Sequence, residues 1–115
     1  MITIYKTTEQ GMEQLESMEN GTWVKAVDPT TEEIQKLVNW GVDVDYIHYS
    51  LDFDEMPRIE RDEEYTFILI RIPHRQPDND IPYITIPLGI FIKGNMIVTI
   101  CRYEKDMFQV LANGK

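Results

Sequence analysis

The sequence predicts an α/β fold: a central mixed β-sheet flanked by short helices, in a single domain. Three observations carry that expectation. Thr22–Val27 is a β-rich run that breaks at Asp28-Pro29 into a helix start. Tyr65–Ile72 is a nearly continuous run of apolar β-formers, and Tyr83–Cys101 reads as two strands folded about Gly94-Asn95.

Taken in order, Ile2–Tyr5 alternates and predicts a short strand. Thr7–Asn20 is polar, with Met12, Leu15 and Met18 at helical spacing, and predicts a surface helix closed by Gly21. After the strand Thr22–Val27, Thr30 is placed to cap a helix, and Glu33 three residues on completes a capping box. Ile34, Leu37 and Val38 form its buried stripe and Gly41 ends it. A second short helix spans Val44–Leu51 with Asp43 or Asp45 as its cap. Pro57, which lacks a donor and disfavours helix at Met56, stops anything helical. Arg58–Arg61 alternates again, and Tyr65–Ile72 reads as a central strand covered on both faces. A polar loop over Pro73–Asp80 precedes the long strand Tyr83–Lys93. Met96–Cys101 returns, and Glu104–Leu111 opens a last helix.

Composition narrows the function. With 115 residues and 43% hydrophobic, the chain can bury a core without disulfide or metal staples. Cys101 is the one cysteine, so no intrachain disulfide forms, which fits a reducing cytosol. The start Met-Ile-Thr-Ile-Tyr-Lys lacks the features of a signal peptide, and no window approaches the roughly 18 to 20 apolar residues of a spanning helix. On its own the chain is expected to be water-soluble, with no direct membrane insertion. The net charge is −9 and is unevenly placed. Asp43, Asp45, Asp52, Asp54, Glu55, Glu60, Asp62, Glu63 and Glu64 face only Arg58 and Arg61 within one stretch. Such a field repels anionic lipid and attracts cations or basic partners, unless it is simply a solvated face. Without a Lys/Arg stripe to neutralise phosphates, no nucleic acid partner is expected. His48 and His74 have no second pair at zinc spacing, and nothing in the sequence orients either toward Cys101 as base to nucleophile. No enzyme and no catalytic residues are expected.

The order and wording of five segments resemble the N-terminal cytoplasmic domain of the CorA family of magnesium and divalent-cation transporters. The segments are Trp23–Thr30, Glu32–Leu37, Met56–Glu60, Tyr65–Ile70 and Leu88–Ile100, and the match runs over roughly residues 22 to 111. The resemblance implies that 1–115 is a regulatory domain of a homopentamer, sensing or gating at the cytoplasmic face of the cell membrane. Its partners would be its own downstream stalk and transmembrane region and the neighbouring subunits. The cargo of similar proteins is Mg2+, Co2+, Ni2+ or Zn2+. The stalk and membrane helices lie outside this chain. Gly94-Asn95-Met96 is a near-anagram of the family's Gly-Met-Asn pore signature but fits a β-turn between strands.

Mg2+ is a hard ion that takes carboxylate, carbonyl and water oxygens. Asp52-Phe53-Asp54-Glu55 offers three carboxylates within four residues, with Asp52 and Asp54 on one side if the segment is extended. Asp52, Asp54, Glu55 and Asp45 are therefore the candidate ligands for a weak, regulatory Mg2+; no Gly or distal Glu marks an EF-hand loop. The resemblance also implies an acidic pair inside the second helix. Aligned backward from Pro57, those places hold His48 and Tyr49. The alternative reading is a stand-alone cytosolic α/β interaction module whose acidic face grips a basic partner.

Overall fold

The computed structural model describes residues 1–75 and 83–103. Its elements run β1 (Ile2–Thr8), β2 (Gly11–Leu15), β3 (Thr22–Val27), α1 (Thr31–Asn39), α2 (Val44–Leu51), β4 (Arg58–Arg61), β5 (Tyr65–Arg75), β6 (Tyr83–Lys93) and β7 (Met96–Cys101). They form one seven-stranded sheet in the order β2-β1-β3-β7-β6-β5-β4. All neighbours are antiparallel except β3 and β7, which run parallel from Trp23↔Ile97 to Val27↔Cys101. The sheet is therefore mixed, with short helices packed on it, as the sequence predicts.

Local chemistry sets the helix ends. Thr30 accepts from Glu33 N and the Glu33 side chain accepts from Thr30 N, so the capping box forms as its spacing requires. At the other end Gly41, at φ 103, donates to Val38 O while Val42 N donates to Leu37 O. That pair of bonds is a Schellman motif, and it buries Val42 against the end of the helix. Asp43 caps α2 by accepting from Asp45 N at 2.9 Å.

One face of the sheet carries the main core. Leu37 of α1 and Tyr46 and Ile47 of α2 pack over Val24, Phe67, Leu69, Phe91, Val98 and Ile100. Each such side chain contributes about 1.5–3 kcal/mol on leaving water. Tyr46 stacks on Phe67 at 4.2 Å, and burial together with Tyr65 and Glu60 pushes its phenol well above the usual range. α2 crosses β6 at Gly89, where a Cβ would lie 1.7 Å from Ser50 Oγ. Only glycine permits that approach. The opposite face holds a smaller cluster, Ile72, Ile86, Leu88 and Cys101, with Trp23, Ile84 and Ile90 against it.

Three expectations are corrected. Thr7–Asn20 is not a helix: β1 continues to Thr8, turns, and pairs with β2 from Thr8↔Gly11 to Ile4↔Leu15. Gly11 at φ 109 and the Thr8 hydroxyl, which accepts from Gln10 N and donates to Gly11 O, build the turn. The backbone hydrogen bonds that β1 supplies outweigh a helical spacing resting on three apolar residues. β5 is second from the edge rather than central, and Ile70 remains 37% exposed on it. Its strand also extends through Pro73–Arg75, because Tyr83–Thr85 pairs with them. The remainder of the expected loop and the helix expected at Glu104–Leu111 lie outside the described residues.

Two outcomes follow from these contacts. Gly89→Ala lowers the unfolding free energy by about 1–3 kcal/mol in urea denaturation; a neutral result means α2 does not sit on β6 at this distance. Burial alone would raise the Glu33 carboxyl, but donors from Thr30 N and Ile2 N and the Met1 ammonium hold it below its ordinary 4.5. A depressed carboxyl contributes stability that is present above pH 4.5 and lost as pH falls through the folded value. Glu33→Gln therefore lowers stability at pH 7 and flattens the acid limb of the stability curve. An unchanged acid limb would contradict the assignment.

Candidate functional site

The acidic segment follows α2, whose last turn ends at Asp52. It is a turn, so the extended geometry that would set Asp52 and Asp54 on one side is not adopted. Asp52 Oδ1 accepts from Asp54 N at 2.9 Å, and Glu55 N closes onto Asp52 O at 3.1 Å. A short polar side chain thus replaces the next helical hydrogen bond, which is why the helix stops here.

Two arginines, one on the sheet and one just past its strand β7, hold this turn from beneath. Arg71 of β5 donates Nη1 to Phe53 O at 2.8 Å and to Glu55 O at 3.0 Å. The same guanidinium is fixed by Thr85 of β6, through Nε to Oγ1 at 2.9 Å and Nη2 to O at 2.8 Å. Arg102, just past β7, donates to Leu51 O at 3.0 Å and pairs with Asp28 at 3.2 Å. Its guanidinium also lies 5.6 Å from the centre of the Phe53 ring. Charge-assisted bonds of this kind are about twice as strong as neutral ones. The carbonyls of residues 51, 53 and 55 are consequently engaged by guanidinium groups.

The candidate ligands fare differently. Asp45, Asp52 and Asp54 are exposed, and Glu55 is half-buried. Glu55 is committed to Arg58 at 2.6 Å, and Arg58 also binds Glu60 at 2.6 Å while lying 4.5 Å over the Tyr49 ring. The two carboxylates drive the Arg58 pKa further upward. Among the described residues no group of three or more His, Cys, Asp or Glu side chains is arranged to hold a metal ion. Asp45, Asp52 and Asp54 thus present exposed carboxylates rather than a closed ligand cage.

His48 is exposed on α2, and Tyr49 is packed under Arg58. His74 stacks on Tyr103 at 4.1 Å. Cys101 is 1% exposed at the end of β7. Sequence reasoning missed Arg71 and Arg102 as the residues that shape the turn. The available signal was Arg71 itself, a single charge between Ile70 and Ile72 in an apolar strand.

Residues 19–113 match the family described as CorA-like Mg2+ transporter protein. The chain is 37% identical over 79 residues to the cobalt/magnesium transport protein CorA of Methanocaldococcus jannaschii, covering 68% of this chain and 24% of that protein. Its structure is similar to that of the soluble domain of CorA from the same organism. The TM-score is 0.80 at 28% identity, over 98% of this chain and 45% of that one. The complete CorA magnesium transporter of M. jannaschii matches with a TM-score of 0.78 at 26% identity, over 97% of this chain and 35% of that one. The chain thus spans about a quarter of the length of the curated relative. A match over residues 19–113, in a fold shared with the CorA soluble domain, places this chain in the family of CorA-like Mg2+ transporter proteins.

Proposed function

We propose that this chain is the cytosolic sensing and gating domain of a CorA-type transporter of Mg2+ or another divalent metal ion. It works at the cytoplasmic face of the membrane, as one part of a homopentamer with its stalk and membrane helices. The observation that carries this reading is the superposition of 98% of the chain on the soluble domain of a CorA protein. Among the described residues no helix is long and apolar enough to cross a membrane. A domain of this kind acts by binding cations differently in two conformations of a larger assembly.

The cation chemistry it offers is the arginine-held turn. A Mg2+ ion with its waters rests against Asp52 and Asp54, with Asp45 contributing charge one helix away. Glu55, paired with Arg58, is the least available of the four. Outer-sphere contact of this sort is weak, in the millimolar range of flexible oxygen sites.

NMR titration of the domain with Mg2+, for wild type and Asp52→Asn/Asp54→Asn, tests the site. The expected result is saturable millimolar shifts over residues 45–55 that the double variant loses. Shifts that persist in the variant remove the turn as the site, and no binding up to tens of millimolar removes cation sensing from this domain alone. Arg71→Ala is expected to speed amide exchange in the turn on the order of tenfold or more, the scale of lost charged hydrogen bonds, and to weaken Mg2+ binding with it. Unchanged exchange would mean the turn holds its own shape.

A further inference from the structure

α1 and its C-cap carry Glu33, Lys36 and Trp40 at i, i+3 and i+7, so the three side chains share one side of the helix. That side faces β1 and β2, and β2 is the outer strand of the sheet. Ile2, Ile4 and Leu15 form an apolar floor there, with Met18 and the Trp40 ring as walls. Ile4 is buried, but Ile2, Leu15, Met18 and Trp40 are only half-covered by the fold. The groove between them measures about 520 Å³, within the roughly 300–1,000 Å³ of sites that take small molecules.

The polar groups of the groove are unequally engaged. Glu33 Oε2 accepts from Ile2 N at 3.0 Å, Oε1 accepts from Thr30 N at 3.0 Å, and the Met1 ammonium lies 3.1 Å away. That carboxylate is satisfied. Lys36 is exposed and makes no ion pair or hydrogen bond among the described residues, whereas Lys6 on β1 is paired with Glu19. Trp40 Nε1 likewise meets no acceptor among the described residues, whereas Trp23 Nε1 donates to Thr99 Oγ1. A half-buried indole N–H ordinarily finds a partner. Two donors without acceptors, four positions apart along one helix, thus border an apolar floor.

We propose that this groove binds an aliphatic monocarboxylate. The carboxylate takes the Lys36 ammonium and the Trp40 indole N–H, and the tail lies along Ile2, Ile4, Leu15 and Met18. One negative charge matches the one unpaired ammonium at the rim. A phosphate or a dicarboxylate fits less well, because Glu16 and Glu33 line the same groove in a chain of net charge −9. An amine would set its charge against Lys36, and an uncharged chain would leave that ammonium unanswered. The inference does not depend on the transport reading, and none of these residues belongs to the acidic turn.

The test titrates the full chain with octanoate, hexanoate, octanamide and octylamine, each below the concentration at which it aggregates. Amide shifts and the Trp40 indole resonance report binding. Burying one methylene is worth about fourfold in affinity, so octanoate is expected to bind on the order of tenfold tighter than hexanoate. Octanamide, equal in length but uncharged, is expected to bind on the order of threefold more weakly than octanoate, the scale of one exposed ion pair. Long-range attraction to a chain of charge −9 favours octylamine everywhere else, so a preference for the acid is specific to the groove. The shifts map to residues 2–4, 14–18 and 33–40. Lys36→Gln, at an exposed position, erases the difference between octanoate and octanamide and leaves the dependence on chain length. Equal binding of acid and amide, tighter binding of octylamine, or a preference for the acid that survives Lys36→Gln overturns the proposal. So do shifts that gather on the exposed Ile59 and Ile97, or titrations that never saturate. The comparison of acid, amide and amine on the unaltered chain stands whatever the variant does.

Discussion

The parallel pairing of β3 with β7 joins two antiparallel units that would otherwise be separate, the hairpin-built β2-β1-β3 and the meander β7-β6-β5-β4. Trp23 and Ile97, which face each other across it, are far apart in sequence, so this pairing carries a larger loop-closure entropy than the hairpins on either side of it. Side chains reinforce it: Trp23 Nε1 donates to Thr99 Oγ1 at 2.9 Å, and Asp28 N extends the ladder to Cys101 O. Because β3 and β7 run parallel, the chain between them must cross over the sheet, and α1 and α2 make that crossing on one face. The position of α2, and hence of the turn that follows it, is a consequence of this seam.

The hydrogen bonds already made at the turn constrain the proposed cation site. Backbone carbonyls are good ligands for hard cations only when nothing else has claimed them. Arg71 and Arg102 claim those of residues 51, 53 and 55, and Arg58 claims Glu55. The proposed site therefore offers a cation charge at a distance rather than a coordination sphere. Arg71 is itself immobilised by Thr85, so the arrangement is rigid at its base and solvated at its rim.

Elements specified by nearby residues were legible in the sequence. The Thr30–Glu33 box, the Gly41 stop, the Asp43 cap and the two-residue Gly94-Asn95 turn each satisfy backbone groups within a few positions, so type and spacing suffice to read them. β2 was not legible, because Met12, Leu15 and Met18 fit a helix as well as a strand until the β1 edge is available to pair. Gly11 was the counter-signal. The place of β5 near the edge was likewise unreadable, since an apolar run reports burial on two faces without saying when the burial is completed. For the candidate site, the acids were visible and their occupancy was not. Nothing near Asp52 in sequence announces that Arg71 approaches from β5 and Arg102 from just past β7.

Charge segregation links the two ends of the molecule. The acids of the Asp43–Glu64 stretch fall on α2, on the turn and on the loop after β4, while alternate positions of β4 itself divide between Glu60 on the helix side and Arg61 on the other. A period of two therefore sorts charge as well as hydrophobicity, sending carboxylates toward one surface and leaving the other free of them. The separation has an energetic logic. Ile59, Ile68, Ile70, Ile90, Ile92 and Ile97 lie on the second surface, and a carboxylate set among them would lose hydration at the cost that unpaired buried charge carries. The net charge of −9 is thus spread unevenly over the two faces of the sheet.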